Sequence, residues 1–258
     1  MIKSILDQAV IRYNNTDFIE NDPIQIPHRF SKKEDIEIAG FLSASIAWGQ
    51  RKTIINNGWR LMERLDFSPY EFIMEESDFS PFSDFVHRTF NGLDCQFFLQ
   101  SLKNIYQNHG GLEQVFTSGF LEDNTIFSAL KQFRSVFFEI PYEDRTRKHI
   151  PDVSTNSSAK RLNMFLRWMV RKDENKVDFG LWEKIPMSAL MLPLDVHTSN
   201  VARDMKLTSR KQNDWKAVEE ITVELRKFDP DDPVKYDFAL FGIGVNHASK
   251  SRLQQTDI

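Results

Sequence analysis

The residue with the strongest case for a chemical role is Asp195, in the segment LPLDVHTSNVARDMKL at residues 192–207. Pro193 disfavours a continuing helix, and Asp195 follows where the N-cap of a new helix is expected, ahead of apolar positions with helical spacing. An aspartate in this setting commonly does no more than cap its helix. Held rigidly beside a substrate, the same carboxylate can stabilise developing positive charge and orient or deprotonate a nucleophile. The segment therefore offers one candidate catalytic carboxylate.

The sequence does not support a metal site or a catalytic cysteine in the same way. His197 lies near Asp195, but no second histidine follows it at i+3 or i+4, and the next histidine, His247, is remote. Cys95 is the single cysteine, which excludes an internal disulfide, a cysteine zinc site and an iron–sulfur cluster held by this chain alone. We therefore expect no metal and no cofactor.

Positive charge concentrates between residues 141 and 172, which hold eight lysines or arginines against three acidic residues, although the whole chain has a net charge of −4. On a helix with about 100° per residue, Lys160, Arg167 and Arg171 fall on one face, with the apolar positions opposite. One interpretation is an ordinary solvated amphipathic helix. The other is a basic stripe that points outward and faces the phosphates of a nucleic acid.

The elements that must position these residues are helices. Apolar residues recur at helical spacing, Ser31 and Glu34 have capping-box spacing, and Asp232 followed by Pro233 has the form of a helix start. No alternating stretch indicates a β-hairpin. With 41% hydrophobic and 27% charged residues and 22 phenylalanines, the composition favours a folded chain with an aromatic core. The predicted fold class is all-α.

A length of 258 residues allows one large domain or two modest ones. The sequence begins without the apolar stretch of a signal peptide, and no run approaches the roughly 18 apolar residues of a membrane span. The expected location is therefore the cytoplasm, with no membrane partner.

Four segments resemble the helix-hairpin-helix (HhH-GPD) DNA glycosylase superfamily, which includes endonuclease III and the 8-oxoguanine glycosylases. Residues 192–207 are similar to its V-D-T-H-V-x-R-V segment, in which a catalytic aspartate stands at a helix start. Residues 39–63 (AGFLSASIAWGQRKTIINNGWRLME) resemble its early L-L-S-x-Q-T helix pair. Residues 158–171 (SAKRLNMFLRWMVR) resemble the segment with its catalytic lysine, and residues 236–249 (YDFALFGIGVNHAS) its terminal helix ending in L-I-x-H-G-R. As a whole, the chain resembles an uncharacterised bacterial family known as a domain of unknown function (number 2400), which groups with these glycosylases.

The resemblance implies a two-lobed, all-α glycosylase-like fold. A central helical-barrel lobe would comprise residues 39–188, a second lobe residues 1–38 and 189–258, and the active-site cleft would lie between them. Residues 150–154 (IPDVS) carry Asp and Ser where the family's L-P-G-x-G-x-x-K hairpin has glycines, which implies an irregular hairpin. The cysteine-cluster tail of endonuclease III is absent, which implies that no iron–sulfur cluster is present.

The resemblance also assigns a catalytic pair. The Asp195 carboxylate would stabilise positive charge on the deoxyribose, and the Lys160 amine would form a Schiff base with the sugar if the enzyme is also a lyase. The separation of these two residues exceeds that in endonuclease III and is closer to the archaeal 8-oxoguanine glycosylase branch. A free lysine has a pKa of about 10.4, so its amine must be neutralised by desolvation or by neighbouring cations, here Arg161, Arg167 and Arg171.

Contacts to DNA and extrusion of the damaged base are the other roles that the resemblance implies. An extruded base needs an aromatic or apolar wall, for which Trp48 and Trp168 are candidates, although a place in the core is the more ordinary interpretation of both. The expected nucleic-acid-binding residues are Arg161, Arg167, Arg171, Lys148 and Gln50.

Three functions remain open. The first is a base-excision repair glycosylase, with or without lyase activity, that acts on a damaged base in double-stranded DNA and associates with the bacterial nucleoid when it does so. The second is a non-catalytic nucleic-acid-binding protein that keeps the glycosylase fold. The third is an all-α protein of unrelated function, in which the Asp195 segment is coincidental. If the first holds, the basic stripe should face the same cleft as Asp195, and DNA affinity should fall steeply with salt.

Overall fold

The computed structural model describes the backbone of residues 1–253 and the side chains of residues 1–245. In this part of the chain, helices and short 3₁₀ turns form all the regular structure apart from two isolated β-bridges, so the all-α prediction is confirmed. None of the helices described is both long enough and apolar enough to cross a lipid bilayer. The α-helices are α1 (Ile2–Tyr13), α2 (Asp17–Glu20), α3 (Lys33–Ser45), α4 (Arg51–Arg64), α5 (Pro69–Glu75), α6 (Gly92–Asn108), α7 (Leu112–Asp123), α8 (Ile126–Phe137), α9 (Lys160–Val170), α10 (Val196–Asp204), α11 (Trp215–Phe228) and α12 (Tyr236–Leu253).

The chain divides into two compact units, each made of more than one stretch of sequence. The first, called the terminal unit here, comprises Met1–Phe18, Thr155–Gly180 and the chain from Pro186 onward. The second, called the middle unit, comprises Ile19–Ser154 and Leu181–Ile185. Helices α1 and α9 to α12 therefore belong to the terminal unit, and α3 to α8 belong to the middle unit.

This division differs from the expected lobes at residues 39–188 and at residues 1–38 plus 189–258. Helix α9, which was expected in the central lobe, lies in the terminal unit, and residues 19–38 lie in the middle unit. The reason for the first difference is visible in the packing of α9. Arg167 of α9 donates a hydrogen bond to Asp237 of α12, so the buried face of α9 belongs with the C-terminal helices.

Helix α12 is the centre of the terminal unit, because it packs against both α1 and α10. Leu6 of α1 is fully buried, and Phe18 meets Phe238 edge to face with the ring centroids 5.1 Å apart. Gly242 allows the ring of Tyr13 to approach α12 closely, since a Cβ at this position would collide with it. The N-terminal helix therefore shares a core with α12.

Phenylalanines dominate the core of the middle unit, as the composition predicts. Phe116 of α7 stacks on Phe133 of α8 with the ring centroids 4.4 Å apart. Phe98 of α6 meets Phe137 of α8 edge to face at 4.8 Å. Edge-to-face and offset arrangements of this kind are the favourable geometries for aromatic pairs.

One carboxylate is buried in the middle unit. Glu37 of α3 is 2% exposed, and it accepts hydrogen bonds from the Tyr106 hydroxyl at 2.6 Å and from Nε1 of Trp182 at 2.7 Å. Burial raises the pKa of Glu37 to about 6, against the lowering effect of these two donors. Because Trp182 lies in Leu181–Ile185, its hydrogen bond fastens that short stretch to α3.

Candidate active site

Asp195 caps helix α10, as the sequence predicts. Its backbone is extended, and its Oδ1 accepts a hydrogen bond from the backbone N–H of Thr198 at 2.8 Å. The side chain is half-buried, and no hydrogen bond to Oδ2 is found among the side chains described, up to residue 245. One oxygen of the carboxylate therefore holds the helix start, while the other is left for a further partner.

Helix α12 passes close to the start of α10. A Cβ at Gly244 would lie 3.0 Å from both the Cβ and the backbone oxygen of His197, so glycine allows the two helices to meet here. The ring of His197 also lies edge to face with Phe241, with the centroids 6.4 Å apart. This contact brings the beginning of α10, where Asp195 stands, against α12.

Lys160 is the first residue of α9, and its side chain is half-buried. The preceding residue, Ala159, has a φ of 48°, a left-handed conformation that costs a non-glycine residue about 1 kcal/mol. The stretch before it is fastened to the start of α11. The Trp215 N–H donates to the Asn156 carbonyl at 3.1 Å, and the Asn156 side chain donates to Asp214 at 3.0 Å. These contacts fix the point at which α9, and with it Lys160, begins.

A second carboxylate, Asp237, was missed by the sequence analysis. It is the second residue of α12 and is 7% exposed. Burial raises its pKa to about 6; the positive charges of Arg167 and Lys160 act to lower that pKa, and the negative charge of Asp195 acts to raise it. Charges inside a protein influence one another strongly only at short range. Lys160 and Asp195, both in the terminal unit, therefore both influence the charge of Asp237.

One feature of the sequence could have identified Asp237 as a buried, charged residue. It stands between Tyr236 and Phe238 in the run YDFALF, so an acidic residue interrupts an otherwise apolar stretch. An aspartate is rarely buried unless it is paired, so an aspartate inside an apolar run indicates either a partner or a function.

The expectation of an outward-facing basic stripe is wrong for Arg167 and Arg171. These side chains are 3% and 1% exposed, and every residue of α9 from Leu162 to Val170 is buried. Helix α9 is therefore surrounded by protein. Two buried guanidinium groups do not face the phosphates of a nucleic acid, so the prediction that Arg167 and Arg171 bind DNA is wrong for this structure.

The two arginines belong instead to a buried ion-pair network with four aspartates. Arg167 pairs with Asp178 at 3.2 Å and donates to Asp237, and both guanidinium groups lie over the ring of Phe238. Arg171 pairs with Asp173 at 2.7 Å, Asp178 at 3.0 Å and Asp232 at 3.0 Å. Burial acts to lower the pKa of Arg171, but the charges of Asp178, Asp232 and Asp173 outweigh it and raise the pKa. The network thus keeps Arg171 charged in the core.

The other residues of the terminal unit to which the resemblance assigns a role differ in their burial. Arg161 is half-buried, and burial lowers its pKa to about 10. Trp168 is fully buried, so it is a core residue and cannot serve as an exposed wall for a base. The segment at 236–249 ends in Asn246 to Ser249, and the side chains of these residues, including His247, lie outside the described residues.

Trp48, Gln50 and Lys148 belong to the middle unit. Gln50 is the exposed N-cap residue of α4, and the Lys148 side chain is exposed in a 3₁₀ turn. Trp48 is half-buried and stacks on His149 with the ring centroids 5.7 Å apart. The roles in DNA binding and base extrusion expected of these residues stay predictions.

The segment that corresponds to the family's hairpin is irregular. Short 3₁₀ turns at Asp144–His149 and Val153–Thr155 precede α9. The segment is held to α8 by Arg134, whose Nη1 donates to the Ile150 carbonyl at 2.5 Å. Among the residues described, no group of three His, Cys, Asp or Glu side chains is placed to hold a metal ion.

The sequence of this chain, including Lys160, Asp195 and Asp237, matches the family described as "Protein of unknown function (DUF2400)" over residues 22–246. The chain belongs to this family. Helix α1 precedes the residues matched to DUF2400, whereas α3 to α11 all lie within them. No curated protein and no solved structure gives a significant match to the chain.

Proposed function

We propose that this DUF2400 protein is a DNA base-excision glycosylase, with Asp195 and Lys160 as its catalytic pair. One observation carries the proposal. Lys160 and Asp195, at the starts of two helices of the terminal unit, both act electrostatically on the same buried carboxylate, Asp237. An amine can serve as the nucleophile of a glycosylase that is also a lyase, and a carboxylate can stabilise the positive charge of its transition state.

Asp195 would stabilise the charge that the reaction creates. As the bond between the base and C1′ breaks, positive charge develops on the deoxyribose. The hydrogen bond from Thr198 to Oδ1 fixes the carboxylate, so that it need not reorganise when this charge appears. The other oxygen, Oδ2, is the one that would face the sugar.

Lys160 would act as the nucleophile. Its Nζ forms a bond to C1′, the base leaves with the electron pair of the N-glycosidic bond and takes up a proton, and the new amine nitrogen gives up a proton to a neighbouring carboxylate. The sugar ring then opens: O4′ leaves C1′ with the electron pair of their bond and takes up a proton, and the nitrogen lone pair forms the C=N bond of the protonated Schiff base. Asp237, whose pKa burial raises to about 6, is suited to receive such a proton and pass it on near neutral pH.

The Arg167–Asp237 pair would have a positioning role in this scheme. Arg167 pairs with both Asp178 and Asp237, so it holds the second carboxylate in a fixed orientation. The guanidinium also lies 4.4 Å from the centroid of the Phe238 ring, which restricts its movement further. Arg167 thus contributes to the site from within the core and not by contact with DNA.

Borohydride trapping tests the proposal. The wild-type protein is incubated with duplexes that each contain one damaged base or an abasic site, and sodium borohydride then reduces any Schiff base to a stable protein–DNA adduct. We expect an adduct with the wild type and none with Lys160→Gln. The matched control is Lys216→Gln, which alters an exposed lysine on α11.

Two other results would point to the alternatives. Salt-dependent binding to DNA without excision or adduct on any duplex would indicate a non-catalytic binding protein. No binding to any duplex at low salt would indicate an unrelated all-α protein. Excision without an adduct, lost in Asp195→Asn and kept in Lys160→Gln, would retain the glycosylase but reassign the nucleophile to water.

A further inference from the structure

A separate cavity of about 310 Å³ lies in the middle unit, between α8 and the segment at residues 142–154. Lys131, Arg134 and Arg147 line it together with a single acidic residue, Asp152. The lining therefore carries an excess of two positive charges in a protein whose net charge is −4. A concave site with this balance attracts an anion.

Arg134 is held in place before any ligand arrives. Its Nη1 donates to the Ile150 carbonyl, its Nε lies 3.3 Å from Oδ2 of Asp152, and its Cζ lies 4.8 Å from the centroid of the Phe138 ring. Its Nη2 makes no hydrogen bond with the part of the chain that is described. A guanidinium fixed on one side in this way keeps donors for a ligand on the other.

Arg147 is organised in the same manner by a different aromatic residue. Its Nε donates to the Tyr142 hydroxyl at 3.0 Å, and its Cζ lies 5.1 Å from the centroid of that ring. Arg147 also forms an ion pair with Asp144 at 3.4 Å. Because the Asp144 side chain is 93% exposed, water screens this ion pair. Lys131 forms no ion pair with any described residue, and its Nζ lies 5.8 Å from the centroid of the Phe127 ring.

Size and charge together select the ligand class. Cavities that hold small molecules begin at about 300 Å³, which makes this one large enough for a nucleotide. A phosphate monoester carries nearly two negative charges at pH 7, which match the excess of the lining, whereas a phosphodiester in a DNA backbone carries one. Arginine and lysine are the usual partners of phosphate oxygens.

We propose that this cavity binds a phosphate monoester, with Lys131, Arg134 and Arg147 as the groups that contact its oxygens. The monoester can be that of a free nucleotide or the 5′-phosphate at the end of a DNA strand, because both present the same group. The cavity contains none of the residues of the proposed active site. The two proposals can therefore fail independently.

Calorimetric titration of the full chain with deoxyadenosine 5′-monophosphate, inorganic phosphate and deoxyadenosine tests the site. We expect the nucleotide to bind and the phosphate-free nucleoside not to bind. Lys131→Glu should weaken nucleotide binding by about tenfold or more, since it replaces attraction by repulsion. Lys216→Glu, which makes the same charge change on an exposed part of α11, should leave the affinity unchanged. Both sites are exposed, and circular dichroism checks that both variants fold.

A second series uses one oligonucleotide with and without a 5′-phosphate. Preference for the phosphorylated form, lost in Lys131→Glu, would identify the strand end as a source of the monoester, and binding of the nucleotide alone would identify the small molecule. Affinity for either should fall below about pH 6, where the monoester gains a proton. The proposal is wrong if neither phosphate compound binds, if deoxyadenosine binds as well as its phosphate, or if Lys131→Glu has no effect.

Discussion

Arg167 and Asp237 form a buried ion pair that joins α9 to α12, with Nη1 of the arginine donating to Oδ2 of the carboxylate. Helix α9 begins with Lys160, and α12 packs against α10, whose cap is Asp195. The pair therefore links the helices that carry the two candidate catalytic residues. Three separate segments of sequence contribute charges that act here: α9 supplies Lys160 and Arg167, α12 supplies Asp237, and the start of α10 supplies Asp195.

Replacing Asp195 by Asn separates capping from catalysis. Asparagine caps a helix about as well as aspartate, so the thermal unfolding temperature should change little. The negative charge is lost, so base excision in a single-turnover assay should fall by at least ~100-fold. Asp195→Ala should lose the same activity and about 1 kcal/mol of stability in addition. Normal excision by Asp195→Asn would remove Asp195 from the mechanism.

Lys160→Gln should keep the fold, because the half-buried side chain is replaced by another long polar one. It should abolish the borohydride adduct while DNA binding changes by no more than the loss of one phosphate contact. The measurements are adduct yield on a denaturing gel and affinity as a function of salt. An adduct that persists in this variant and disappears in another lysine variant would move the nucleophile elsewhere.

Arg171→Gln should have a much lower free energy of unfolding than the wild type. It leaves Asp232 and Asp173 without their arginine and Asp178 with Arg167 alone, and breaking a buried ion pair on one side costs about 3–5 kcal/mol. Chemical denaturation measures the loss. The control is Lys148→Gln, whose exposed side chain should contribute nearly nothing. If Arg171→Gln is as stable as the wild type but binds DNA more weakly, the prediction that Arg171 faces outward and contacts DNA would be supported instead.

The buried Glu37 should make stability depend on pH in the acid range. Burial raises its folded-state pKa from 4.5 to about 6, so the folded chain binds a proton more tightly than the unfolded chain. The free energy of unfolding should therefore fall as pH rises from about 4.5 to 6, by about 2 kcal/mol from this group. Glu37→Gln has no proton to lose, and its denaturation midpoints should lack this decline. An unchanged pH profile in the variant would show that Glu37 titrates normally.

Asp237→Asn tests the role of the second carboxylate. Excision by the wild type should increase as pH rises through about 6, where Asp237 loses its proton and becomes able to accept one. The asparagine variant keeps an oxygen for Arg167 but cannot titrate, so its excision should be slower and flat across this range. If the profile of the variant still rises near pH 6, the titrating group is another residue.

The local features of this site could be predicted from the sequence, because they depend on neighbours a few residues apart. The cap at Asp195 follows from the proline before it and the helical spacing after it, and the start of α9 follows from its own periodicity. The burial of Arg167 and Arg171 could not be predicted in this way. Their decisive partners, Asp237 and Asp232, stand 70 and 61 residues away.

A helical wheel treats a charged face as a solvent face, and it has no means of representing partners brought in from elsewhere in the fold. The same limit explains the division of the chain. Helix α9 was assigned to the lobe of its sequence neighbours, whereas its ion pairs place it in the terminal unit. Asp237 could not be identified from the sequence for a related reason. Its environment depends on the charges of Lys160 and Arg167 in α9 and of Asp195 at the start of α10.

The position of the short stretch Leu181–Ile185 in the sequence determines which unit is completely synthesised first. It is the last piece of the middle unit, and its Trp182 completes the hydrogen bonding of Glu37. A nascent chain that has left the ribosome as far as Ile185 therefore holds every residue of one unit, while the other still lacks α10, α11 and α12. The ion pairs of Arg167 with Asp237 and of Arg171 with Asp232 can close only after translation has passed those aspartates. Until then, only Asp173 and Asp178 of their four aspartates are available to the two arginines.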